Sequence, residues 1–313
     1  MDVKRLALII LGIASLGLVR PSAAQAQEIV DEALQDFPSG TQRLEYSDSA
    51  KLRQLPSYDI LRQRYLGARL QQLEKSLAKL GIKESDINEL VLGWQGGSGQ
   101  NANEWDLYGI AAGRFNSDEI ASQAAAQGLK PRPVGVAKAY CLTADTAGTC
   151  LAVLDDTRGA FGTLKQISAI ATARSGNAAG LNSAGGFANL VNESKSDAPI
   201  WGVAEGAAVT DWLRASMPSQ SNMDLDWTQA FSGVKTMSYS INVTEKVHLE
   251  MKLNCQDAAT ASGLRQVLDG LRSFQQMAWQ NKNPSVPNPF ENVAVNASGA
   301  QVDLSLDTVY PAA

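Results

Sequence analysis

Histidine is almost absent from this chain, and that shortage narrows the chemistry first. His248 is the single histidine among 313 residues. A serine or cysteine nucleophile served by an imidazole base would have to run through it. Its neighbours Lys246 and Glu250 share its side of an alternating stretch, the pattern of a solvated strand face, and no nucleophile elbow stands nearby. Zinc chemistry is equally short of ligands, because one histidine and three separated cysteines offer no metal-binding spacing. Clusters of lysine and arginine interleaved with aromatics are missing too. At a formal charge of −5 the chain has no electrostatic footing for phosphate backbones. Past the N-terminus no apolar run is long enough to cross a bilayer as a helix. These shortages lead us to expect no nucleic-acid partner, no membrane span in the mature chain, no metal and no cofactor, and they weigh against an enzyme.

What the sequence does have begins at its N-terminus. Lys4 and Arg5 precede an apolar run from Leu6 to Val19, and small residues follow as far as Ala24-Gln25-Ala26. This order of charged, apolar and small-residue regions is that of a secretory signal peptide over residues 1–26, cut before Gln27. The expectation is export to a periplasmic or extracellular location. The removed segment carries three positive charges and one negative, so the chain of 287 residues left behind has a formal charge of −7.

An exported chain invites disulfide arithmetic. Cys141 and Cys150 flank a turn over 143–148 and would oppose each other across a hairpin; the spacing allows either a disulfide or two thiols. Cys255 closes the cleanest alternation in the sequence. Val247, Leu249, Met251, Leu253 and Cys255 share one face, so Cys255 is expected to be a buried thiol.

The order of elements gives the fold class. A short polar lead-in precedes a strand over 41–46. A helical stretch over 49–80 follows, with a stripe of Leu66, Leu70, Leu73, Leu77 and Leu80 and a stop at Gly81. Strands over 87–95 and 105–113 form a hairpin, a helix begins at Ser117 and ends at Gly128, and strands over 134–142 and 149–154 form a second hairpin. Asp155-Asp156 closes the unit, and a helix from Phe161 to Arg174 comes after it. Residues 198–313 repeat the order, with the hairpin 234–242 and 245–254, a helix capped by Asp257, and a last strand pair. The reading is α+β: two tandem modules of similar build (strand, helices, β-hairpin, helix, β-hairpin), over 27–175 and 198–313. Largely antiparallel sheets with helices on one face are expected, and residues 176–197, rich in Gly, Ala and Asn, read as a linker with a short helix.

No assembled set of acid, base, nucleophile or metal ligands stands out. The loop from Gly93 to Gly99 is glycine-rich, but a strand rather than a helix follows it, so it lacks the architecture of a phosphate cradle. Asn222, Asp224 and Asp226 have the spacing that opens a calcium loop, yet Trp227 stands where glycine is needed. The best surface candidate is the aromatic-flanked tip made of Trp94, Gly97, Gly99 and Trp105. The expected function is that of a non-catalytic, soluble exported protein, a structural or interaction component of the cell envelope or periplasm whose partner is an unknown envelope protein. A small-ligand or peptide binder with its site between the modules is the alternative, and a carboxylate-based hydrolase comes third.

Overall fold

The computed structural model describes residues 23–56, 58–59, 68–96, 105–142, 148–216, 227–244, 246–282, 288 and 291–309. Among these residues its frame is one sheet of twelve strands. These are β1 (Thr41–Asp48), β2 (Ile87–Gly96), β3 (Trp105–Gly113), β4 (Arg132–Val134), β5 (Ala137–Cys141), β6 (Cys150–Asp155), β7 (Arg158–Gly162), β8 (Ile200–Glu205), β9 (Val234–Val243), β10 (Lys246–Cys255), β11 (Val293–Ser298) and β12 (Gln301–Val309). Their order is β11-β12-β10-β9-β8-β1-β2-β3-β7-β6-β5-β4, and every neighbouring pair is antiparallel. The strands of the first and second halves of the chain meet at the β1–β8 pair, where Leu44 faces Val203 and Tyr46 faces Trp201. The α+β class is therefore present, but as a single continuous sheet.

Nine α-helices accompany it among the described residues: α1 (Ala23–Asp36), α2 (Ser49–Leu52), α3 (Ala68–Lys79), α4 (Ser117–Ala126), α5 (Leu164–Arg174), α6 (Gly186–Ser194), α7 (Ala207–Ser216), α8 (Trp227–Phe231) and α9 (Ala258–Lys282). They lie on both faces, which corrects the expected one-faced packing. The alternation along β1 explains why. Leu44 and Tyr46 point into a core with α1, α5 and α6, whereas Arg43 and Glu45 point to the face that α7 covers. Strands buried on both sides need cover on both sides. The second half behaves differently. Met251, Leu253 and Cys255 of β10 face α7, α8 and α9, and Glu250 and Lys252 on the other side are exposed.

Three further expectations change. The polar lead-in is helix α1, whose Ile29, Val30, Ala33 and Leu34, with Phe37 just beyond it, are buried. Their three- and four-residue spacing is the signature of an apolar stripe, hidden by the acids between them. The supposed linker is core: Leu181, Phe187, Ala188 and Val191 are buried against the same cluster. Phe161 belongs to strand β7 rather than to a helix; Asp155 turns the chain by accepting from the Thr157 amide and hydroxyl, and β7 then pairs with β3. The leucine stripe does pack inward, with Leu77 and Leu80 buried, while Leu66 lies outside the described residues.

α1 is also fastened by charge. Arg158 grips Glu32 through Nε and Nη2 at 2.8–3.0 Å, Arg174 reaches Glu32 and Asp36 at 3.0 Å each, and Lys195 reaches Asp31 at 2.6 Å. Planar guanidinium groups suit such two-point contacts.

Candidate functional site

Trp94 and Trp105 stand on one face of the β2–β3 hairpin, because Trp94 pairs with Leu107 and Trp105 is two residues before it. Gly97 and Gly99, between them, lie outside the described residues, as do Asn222, Asp224 and Asp226. The structure adds partners to the two tryptophans that local sequence does not reveal. Arg43 sits opposite Trp94 on β1, and its guanidinium carbon lies 4.0 Å from the centre of the Trp94 ring. From the other half of the chain, α7 folds back over the same face after β8. It brings Trp212 to 5.7 Å from the same guanidinium and Asp211 to accept a 2.9 Å bond from Trp105 Nε1. Arg43 thus lies between two indole faces, where cation–π attraction holds it.

A glycine completes the arrangement. Glu45, Gly202 and Tyr239 stand in one row across β1, β8 and β9. With no side chain at 202, the Tyr239 ring lies over β8; a β-carbon there would stand 2.6 Å from its hydroxyl. The phenol reaches across the intervening strand and donates to Glu45 Oε2. Arg43 Nη2 donates to the same oxygen at 2.9 Å. Trp212 stacks on Tyr239 at 5.3 Å with 17° between the rings. Burial, and next the Glu45 charge, push the Tyr239 hydroxyl far above the ordinary phenol range, so it stays a proton donor. Arg43 Nε is buried with no hydrogen-bond partner among the described residues, an arrangement that costs free energy.

The result is a half-buried cluster of tryptophan, tyrosine and arginine at the seam between the two halves of the sheet. These are the residue types that carry most binding energy at protein interfaces. Sequence reading found Trp94 and Trp105 and missed Arg43, Glu45, Asp211 and Tyr239. An Arg-x-Glu pair on one face of a strand carries no local sign that the face will be covered.

The remaining candidates lie elsewhere. Cys141 and Cys150 are directly opposed on β5 and β6 and form a disulfide. Cys255 is a free, buried thiol, and burial, then Asp257, push its pKa up. His248 is on the exposed face, its Nδ1 2.8 Å from Asp307 and its Nε2 3.2 Å from Glu250. A groove of about 350 Å³ opens beside α4, lined by Ile82, Asp86, Arg114, Phe115, Glu119 and Asp156, among others. Asp86 there bonds Arg114 and the Lys83 amide.

No protein-family model matches this chain, and no curated protein does. Two solved structures of TP0453 are similar to it. Crystal form I aligns with a TM-score of 0.53 and 9% identity over 88% of this chain and 92% of that one. Crystal form III gives 0.53 and 10% over 88% and 93%. At such identity the likeness is one of fold alone.

Proposed function

We propose that this chain is an exported, non-catalytic interaction protein of the envelope or periplasm, built from two modules that share one sheet, and that it binds at the seam between them. The Arg43 guanidinium held between Trp94 of one half and Trp212 of the other carries the binding reading. The strand order supports the two-module part. Outward from the β1–β8 pair, each half runs through a hairpin (β2–β3; β9–β10) and then the second strand of a later hairpin (β7; β12) before its first.

The test joins capture with localisation. Pull-down from envelope extract with the wild-type chain returns the same partner repeatedly, and Trp94→Ala or Arg43→Ala loses it while keeping a cooperative melt. Retention of the whole chain in the cytoplasmic fraction sinks the export part. A partner that survives both substitutions removes the seam as its site.

The same aromatic seam favours a second reading, a small ligand or peptide bound there, since pockets gather where units meet. Thermal-shift screening of sugars, metabolites and peptides separates the two: a stabilising ligand that no longer acts on Trp94→Ala selects the second.

A further inference from the structure

The two ends of the sheet are finished differently, and the difference has a use. At one end β4 is three residues long. Val134 pairs with Ala137 across the two-residue turn at Gly135 and Val136. In a two-residue hairpin the pair that closes the turn exchanges the hydrogen bonds, and alternate residues direct their backbone outward. The outward residue of β4 is Pro133, which has no N–H to offer. That edge is guarded.

At the other end, Ser298 pairs with Gln301 across the turn at Gly299 and Ala300. By the same alternation Val293, Val295 and Ala297 turn their backbone groups outward. Two contacts fix this phase: Asp307 N donates inward to Asn292 O at 3.4 Å, and Arg272 Nη1 reaches the outward carbonyl of Val293 at 3.0 Å. Among the described residues nothing pairs with the outward groups of Val295 and Ala297. The strand has no proline, lysine or other charge, which are the usual guards of an exposed edge. Asn296, Ala297 and Ser298 are exposed.

We propose that β11 is an assembly edge, and that its partner is β11 of a second copy of this chain, paired antiparallel about a two-fold axis at Val295. Such pairing sets Val295 against Val295 and Val293 against Ala297, so within the paired strands no charge meets its like, and the Val293 carbonyl, which accepts from Arg272 on one lone pair, takes the Ala297 N–H on the other. An uncharged strand is self-complementary in a way that a charged one is not, and closed two-fold contacts are the commonest mode of self-association. The sheet continues across the axis with its Val293 and Val295 side still apolar and its Ala294 and Asn296 side still exposed. This inference is independent of the aromatic seam.

Analytical ultracentrifugation of the full chain from micromolar to millimolar concentration tests it. The wild type is expected to pass from monomer to dimer. Ala297→Pro deletes one outward N–H from each copy, so two intermolecular bonds are lost and the midpoint moves up by roughly tenfold or more. Ala297→Lys places a charge on the exposed edge and moves it the same way; it carries the test alone if the proline variant does not fold. A wild type that stays monomeric throughout overturns the proposal and leaves the edge to a strand of another protein. A dimer undiminished in the folded variants overturns it as well.

Discussion

Tyr239 lies directly across the ladder from Gly202, and its ring fills the space that a side chain at 202 would occupy. The same pairing recurs at Gly93 with Tyr108 and at Gly109 with Phe161. A glycine on one strand therefore lets an aromatic ring on the next lie flat over the sheet. Gly202→Ala is expected to cost about 2 kcal/mol, the scale of overpacking in a close-packed interior. It should also shift tryptophan emission, because Trp212 stacks on the displaced ring. Denaturant unfolding measures the first effect and fluorescence the second; an unchanged midpoint and spectrum refute the account.

The ion network under α1 predicts two substitutions of unequal cost. Burial pushes the Glu32 carboxyl up, but bonds from Arg158 and Arg174 more than reverse it, and the net shift is downward. For Asp36, burial wins and the pKa is raised despite Arg174. A lowered carboxyl stabilises the fold above its unfolded pKa and loses that contribution as pH falls through the folded value. A raised one acts in the opposite sense. Glu32→Gln should cost about 2 kcal/mol at neutral pH, since it takes from half-buried Arg158 its two-point carboxylate partner and from Arg174 one of its three. Asp36→Asn should cost less, and Glu32→Gln should flatten the loss of stability toward acid. Urea midpoints at neutral and acid pH decide this; equal costs would count against it.

The disulfide closes a short loop, so its stabilisation is modest. Chain-entropy arguments for a loop of this length give about 2–3 kcal/mol. A Cys141→Ala, Cys150→Ala double variant should melt lower by several degrees, and the native wild type should release no thiol at these positions to an alkylating reagent before reduction.

His248 should titrate above its ordinary value near 6.5. Hydrogen bonding to Asp307 raises it most, then Glu250. Its contribution to stability is fully present below the unfolded pKa and fades as pH rises through the folded one. NMR titration checks this: Asp307→Asn should bring the midpoint down more than Glu250→Gln does.

The legible parts of the fold were those set by local alternation and turn chemistry. Residues 105–113 form β3, Asp257 caps α9 by accepting from the Thr260 amide, and Cys255 takes the buried face. Trp94 and Trp105 were visible as a pair because they bracket one tip. Helix α1 was missed since Asp31, Glu32 and Asp36 made its composition polar. Those acids are neutralised by Lys195, Arg158 and Arg174, all more than a hundred residues away.

By itself, then, the sequence determined the phase of β10, the Asp257 cap, the opposed cysteines and the scarcity of histidine, all properties of neighbours along the chain. Tertiary structure decided that the halves share one sheet through β1 and β8, that helices cover both faces of the first half, and that Arg43 lies between Trp94 and Trp212. Each of these depends on which distant surfaces bury one another, and periodicity records only that a face is apolar, never what it meets.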